Sequence, residues 1–414
     1  MTSKYSHKII KEYQSQHIFP PINIAYKSYI YHLYDLIYNI YISSTLGELK
    51  IQKNIDTSQI NIHYSHDLNR GSGDNQNENI LFFIHDIQQS KWIPPSISKT
   101  IPLYNIVSIF RYKYIDIFFY KKTKLSHADI SEIRECILRI YIIKELYNDR
   151  KHIKIGLFNT PYKKNISRNS NRIKPLGPSN VNGGLCYFNS NIIILWRKEE
   201  LKKVIIHELL HSLKVDKDLI VNERVFSKTM REYFKLNKHF GVNESYTETM
   251  ACIYNCVFSV IFKPLISNKK LLNNKRTVRS QNIKQIIYYI EVEIFYSIVK
   301  TAQILHYYKF KSINDLIQHN TNTIVQHSNV FSYFVLKCFI LYNFNHVFDI
   351  LNMHKCIRHP DMKLKEQCSD IYLNIIHKLF DSKTPTYNKL NRLIENVIKN
   401  KYFINNSLRM TAIE

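Results

Sequence analysis

The sequence predicts an α+β fold, a mixed sheet with an active-site helix followed by a mostly helical C-terminal region. Three observations predict it. Short β-branched runs alternate with helical stretches across residues 80–200, a 3.6-residue apolar period sets in at residue 199, and several long amphipathic segments fill the chain beyond residue 280. Polar stretches at 65–79, 163–174 and 267–280 are candidate loops or boundaries. The expected division is an N-terminal α/β region of 1–100, a core of 101–262 and a helical region of 263–414.

Taken in order, 80–87 and 106–120 read as strands, rich in Ile, Phe and Tyr. Residues 128–148 read as a helix and 153–157 as an alternating strand. Gly177, Gly183 and Gly184 cluster in 175–184, which predicts a loop running into the β-branched strand 192–196. From Glu199 the helical period runs through Leu201, Val204, Ile205, Leu209 and Leu213, with acids in the first turn where the helix dipole favours them. This helix carries His207-Glu208-Leu209-Leu210-His211. A second helix is expected from Phe240 onward, with Gly241 as the break and Asn243 as the N-cap. Further helices are expected near 283–308, 329–345, 364–381 and 388–402, and no internal repeat is present.

A chain of 414 residues, 45% of them hydrophobic and 22% charged, is long enough for two or three domains and excludes a disordered chain. The net charge of +25 would ordinarily suggest nucleic acid. Here the basic residues are spread through a composition heavy in Ile, Asn, Lys and Tyr, with only 8 Gly, as an AT-rich genome imposes on any protein. Nucleic-acid binding is therefore a secondary expectation, attached to the basic stretch 269–279. Cysteines at 136, 186, 252, 256, 338, 356 and 368 show no paired CxxC spacing, so neither a disulfide framework nor a zinc finger is expected, and a reducing compartment fits best. Residues 1–13 have no apolar core of the kind a secretory signal needs, which predicts an intracellular, cytoplasmic protein. The longest apolar run, 330–342, is broken by Lys337 and falls short of the roughly 20 residues of a membrane span, so none is expected.

The chemistry lies in the histidines. Residues four apart on a helix share a face, so His207 and His211 can offer imidazole nitrogens to one Zn²⁺, with Glu208 beside the metal as the general base that takes a proton from water. Chance places this five-residue pattern in roughly 3 of 100 such chains, and its position in a helix directly after a strand lowers that figure. A catalytic zinc takes three protein ligands and leaves one position for water. Asp216 stands one residue short of the place extended motifs require, which Lys217 occupies, and Lys214 stands where those motifs have glycine. Downstream, Glu244 and Glu248 share a helix face, where two carboxylates repel unless a cation compensates. Glu244 is the expected third ligand, and Glu248 is expected to accept a hydrogen bond from a ligand histidine or to serve as an alternative ligand. Glu223 is a weaker rival. Cys252 and Cys256 read as core thiols. The reading is zinc-dependent peptide hydrolysis; the alternative is a non-catalytic basic scaffold, viral and structural or nucleic-acid-associated, with a structural metal.

The segments Asn180-Val181-Asn182-Gly183-Gly184, Ile194-Leu195-Trp196-Arg197-Lys198-Glu199-Glu200, Lys203 through His211 and Asn243-Glu244-Ser245-Tyr246-Thr247-Glu248 resemble zincin-type metallopeptidases encoded by large DNA viruses. The resemblance covers roughly 150–260. HExxH followed by a glutamate ligand is the gluzincin arrangement, which implies a five-stranded mixed sheet with the active helix packed beneath it and a protein or peptide substrate. The spacer between His211 and Glu244 is longer than in compact gluzincins.

Overall fold

The computed structural model describes residues 24–44, 46–59, 76–166, 173–187, 190–217, 240–263, 275–317, 323–358, 363–364, 368–400 and 404–413, with scattered single positions between 217 and 240. Glu223, the region 1–23 and most of the basic stretch 269–279 lie outside the described residues. Two compact units divide the chain. One comprises Asn39–Lys164 and Pro178–Lys214; the other comprises Met1–Tyr38, Asn165–Gly177 and Val215–Glu414.

The strands are β1 (Lys50–Asp56), β2 (Ile106–Tyr112), β3 (Ile115–Lys121), β4 (Ile153–Thr160), β5 (Gly184–Tyr187), β6 (Ile192–Arg197) and the short pair β7 (Ile357–Arg358) and β8 (Lys363–Leu364). The longer helices are α1 (Ile24–Ser43), α2 (Gln76–Gln89), α3 (His127–Leu146), α4 (Leu201–Ser212), α5 (Val242–Ile261), α6 (Lys275–Tyr307), α7 (Lys337–Tyr342), α8 (Phe344–Met353), α9 (Ser369–Leu379) and α10 (Pro385–Lys399).

The first unit is a six-stranded mixed sheet in the order β1-β2-β3-β4-β6-β5, one strand more than the resemblance implies. The expected strand 106–120 is a hairpin, β2 and β3, turned at Lys113 with φ 51°. α3 separates β3 from β4, and the crossover makes those two strands parallel, as a helical connection allows. Its start is fixed by a capping box: the Asp129 N–H donates to Ser126 Oγ at 3.2 Å and the Ser126 N–H to Asp129 Oδ2 at 2.8 Å. The resulting α+β arrangement is the expected fold class.

One sheet face carries Val107, Ile109, Phe118, Tyr120, Phe158, Ile194 and Trp196, all buried against Ile80, Phe83 and Ile87 of α2. Residues 80–87 are therefore helix, not strand. Their buried positions recur at three- and four-residue steps, a period that a run without clean alternation hides. Phe83 lies so close to β4 that a Cβ on Gly156 would stand 2.4 Å from its ring, so only glycine fits there. The alternate residues of the strands, among them Ile155, Leu157, Ile193 and Leu195, turn to the opposite face, where α3 and α4 pack.

The second unit is built on the 33-residue α6, against which α5, α7 and α10 pack. The apolar run 330–342 is a π-helical segment, Phe331–Leu336, continuing into α7, and all its described side chains from Val330 to Leu341 are buried. Thr301 Oγ1 donates to Phe334 O at 2.8 Å within that segment. Residues 408–413 are buried as an extended tail: the Ala412 and Ile413 N–H groups donate to Glu293 Oε1 at 2.8 and 2.9 Å, and Asn255 Nδ2 donates to Ile413 O at 2.9 Å. Among the described residues no single helix is long and apolar enough to cross a membrane, although Phe331–Tyr342 and Phe344–Met353, bent by 75°, pass that test as a pair.

The cysteine expectation is corrected at one place. Cys356 and Cys368 form a disulfide, with Cα atoms 5.4 Å apart. The intervening β7–β8 hairpin pairs Ile357 with Leu364 and folds the chain back, a proximity that spacing alone does not reveal. Cys136, Cys252, Cys256 and Cys338 are buried free thiols, and Cys186 is half-buried.

Candidate metal centre

α4 begins at Leu201, two residues after the expected start, because Glu200 takes a left-handed conformation with φ 61°. Its carboxylate is not a cap; it accepts a 2.8 Å hydrogen bond from Lys164 Nζ, and both side chains are buried. Glu199 Oε2 accepts from the Lys164 N–H at 2.7 Å, so the segment after β4 is tied to the start of α4 by both acids. Arg197 at the end of β6 fixes the glycine-bearing loop, donating to Asn182 O at 2.8 Å and to Ser179 O at 2.6 Å. Burial lowers its pKa to about 10, so it stays charged at neutral pH. Neither Lys164 nor Arg197 stood out in the sequence, since their partners are 15 or more residues away in the chain.

On α4, His207 and His211 are 6% and 5% exposed, and their rings meet edge to face with centroids 4.7 Å apart. The two Nε2 atoms are 3.1 Å apart. Two nitrogens held about 2.0–2.1 Å from a tetrahedral zinc stand roughly 3.3 Å apart, so the pair has the spacing that a shared ion requires. Glu208, between them in sequence, is buried at the β5 edge of the sheet. A Cβ added to Gly184 would lie 2.9 Å from Glu208 Cγ, 3.0 Å from its Oε1 and 2.5 Å from Leu195 Cδ2. Gly184 is thus the residue that lets strand backbone approach the Glu208 carboxylate.

Glu244 lies in the first turn of α5 and is half-buried. One ligand atom from each of His207, His211 and Glu244 lies within 4.8 Å of the other two. Two imidazoles and a carboxylate are the donor set of a catalytic zinc with one open position. Comparison with known proteins adds little. No protein-family model matches the chain, and no solved structure matches it. Over 181 residues it is 22% identical to the uncharacterized protein R210 of Acanthamoeba polyphaga mimivirus, a stretch covering 42% of this chain and 41% of that one. The chain thus spans about two fifths of the length of the curated relative it matches.

The N-cap of α5 is Gly241 rather than Asn243, which lies two residues inward in the first turn and donates through Nδ2 to Asp216 Oδ2 at 2.8 Å. An amide suits either position, and the cap and Asn243 differ by only two residues. Asp216 is fully buried, as that partner requires. Glu248 is 1% exposed, and Lys337 Nζ stands 3.5 Å from its Oε1. Lys337 also donates to Met410 O at 2.7 Å. A signal for it existed: a lysine inside an otherwise apolar run is almost never fully buried without a partner. Cys252 and Cys256 are core residues, as expected.

Proposed function

We propose that this chain is a zinc-dependent metallopeptidase whose ion is held by His207, His211 and Glu244, with Glu208 as general base. The observation that carries the reading is the convergence of the two Nε2 atoms, 3.1 Å apart, in a group completed by Glu244. When bound, the ion supplies a Lewis acid that polarises a carbonyl and makes a neighbouring water acidic. Glu208 accepts the proton as the water oxygen bonds to the scissile carbon, then delivers it to the departing amine as the C–N bond breaks.

Peptide as the substrate class is supported by β5, which ends the sheet antiparallel to β6 and packs against α4. An extended segment added to such an edge gains main-chain hydrogen bonds. It would run past Gly184, whose backbone lies against the Glu208 side chain. The mimivirus relative is consistent with a source among large DNA viruses.

Elemental mass spectrometry of the purified protein tests the ligand set. About one zinc per chain is expected in wild type, lost in His207→Ala, His211→Ala and Glu244→Ala. A mixed-peptide cleavage assay tests the base: Glu208→Gln keeps its zinc and loses activity by about 10²–10⁴-fold, the usual contribution of general base catalysis. A zinc-free wild type, or a Glu208→Gln variant as active as wild type, would remove the reading. Zinc binding with no peptide cleaved would favour the basic, non-catalytic scaffold instead.

A further inference from the structure

The sheet unit contains a second polar site. A cavity of about 810 Å³ opens over the starts of β3 and β4, on the face covered by α2. This volume is in the range of small-molecule sites, roughly 300–1,000 Å³. Its floor is a single cross-strand row: Lys50 on β1 pairs with Arg111 on β2, Arg111 with Asp116 on β3, and Asp116 with Lys154 on β4. Lys113 adds a fourth cation to the lining, against two carboxylates, Glu48 and Asp116.

Two features set this row apart from an ordinary solvated rim. Lys50 and Arg111 are like charges directly opposite on neighbouring strands, an arrangement that destabilises a sheet unless an anion lies between them. Three of the cations are also oriented by neutral acceptors, while Asp116 compensates part of the charge of Arg111. Arg111 Nη2 donates to Gln76 Oε1 at 2.8 Å, Lys154 Nζ to Asn79 Oδ1 at 3.1 Å, and Lys113 Nζ to Tyr141 OH at 2.7 Å. Gln76 and Asn79 belong to the first turn of α2, so the helix that buries the apolar face also fixes the charged end of it. Asp116 is engaged by His152 Nε2 at 3.3 Å and by Arg111 Nε at 3.8 Å.

We infer that this cavity binds a small polyanion, a ligand carrying two or more adjacent phosphate or carboxylate groups, through Lys50, Arg111 and Lys154. The site is independent of the proposed zinc centre and stands whether or not that reading survives.

Isothermal titration of the full-length protein with inorganic pyrophosphate, at fixed ionic strength, tests it. Lys50→Gln with Lys154→Gln is expected to weaken binding about tenfold or more, the worth of a charge-assisted hydrogen bond. Lys99→Gln with Lys124→Gln, an equal change of charge at exposed positions of the same unit, is expected to leave binding within about twofold. Asp116→Asn is expected to tighten it, a gain that misfolding cannot produce. Citrate in place of pyrophosphate separates a phosphorylated from a carboxylated ligand by which binds more tightly. No binding by wild type, equal weakening in both double variants, or tight binding of a thymidine oligonucleotide that both double variants reduce alike would overturn the inference.

Discussion

Two clusters of buried ionisable groups, one in each unit, are satisfied in opposite ways. In the sheet unit, His207, Glu208 and His211 come from five consecutive residues of one helix, and their neighbours in sequence already bring the donors together. In the helical unit, Glu248, Lys337 and Glu293 come from three helices, none more than 2% exposed, and Glu293 is completed by the tail residues Thr411, Ala412 and Ile413. The second cluster contains its own cation. The first is a set of donors, which on the proposed reading take a cation from outside. A buried carboxylate needs a cation or hydrogen-bond donors in either case. Whether the chain itself supplies the cation separates a structural cluster from a binding site.

The sharpest way to break this comparison is to delete the cation from the cluster that owns one. Lys337→Ala strands Glu248 beside a vacated site, and breaking a buried pair of this kind costs about 3–5 kcal/mol. Urea unfolding of the metal-free protein should show that loss, whereas His207→Ala should cost about 1–2 kcal/mol under the same conditions. Equal losses would mean that both clusters are structural.

Next in size is Gly184→Ala. The added Cβ meets Leu195 Cδ2 and the Glu208 side chain, so the expected destabilisation is about 1–3 kcal/mol, typical of overpacking. On the proposed reading peptide cleavage falls while zinc content is unchanged. Zinc loss from this variant would place the damage in the ligands rather than in Glu208.

A pH series sharpens the helical side. Burial holds the Glu293 carboxyl above its usual pKa of 4.5, against the Thr411 hydroxyl, the Lys337 charge and the Ile413 and Ala412 amides, which pull it down. A raised carboxyl stabilises the fold in its protonated form. That contribution is complete below 4.5 and is lost as the pH climbs through the raised value. Wild type should therefore lose stability relative to Glu293→Gln, which keeps the Oε1 acceptor, as the pH rises from the ordinary carboxylate range toward neutrality. Urea midpoints for both proteins across that range check it; a constant gap would contradict the assigned burial.

The same contrast explains what was legible in the sequence. The histidine pair and Glu208 could be read because a helix turns a four-residue spacing into a shared face. The β-branched strands β4 and β6 and the capped helix α3 were equally local. The strand assigned to 80–87 failed because an apolar-rich stretch carries too little contrast to distinguish a two-residue from a 3.6-residue period. Asn243 was misplaced because an amide suits a cap and an interior contact alike, and its partner Asp216 lies in another segment. The Lys337–Glu248 pair, the Arg197 clamp, the Cys356–Cys368 bridge and the charged row across β1 to β4 all depend on registers set by tertiary packing, which spacing along the chain does not encode.

The smallest effect isolates burial from chemistry. Asp35 and Arg279 form a two-pronged pair, Nε to Oδ1 at 2.6 Å and Nη2 to Oδ2 at 2.5 Å, a better geometry than the 3.5 Å approach of Lys337 to Glu248. Their side chains are 39% and 42% exposed, however, so water already solvates both charges. Asp35→Asn, which leaves Arg279 over the Tyr31 ring, should cost about 1 kcal/mol or less. In about 1 M salt, where the screening length falls to roughly 3 Å, even that should largely vanish. Lys337→Ala should keep its full cost in the same salt, because ions do not reach a pair that is 2% and 1% exposed. If the better-formed exposed pair proved the stronger in urea unfolding, geometry rather than burial would rank these interactions, and the contrast between the two units would lose its physical basis.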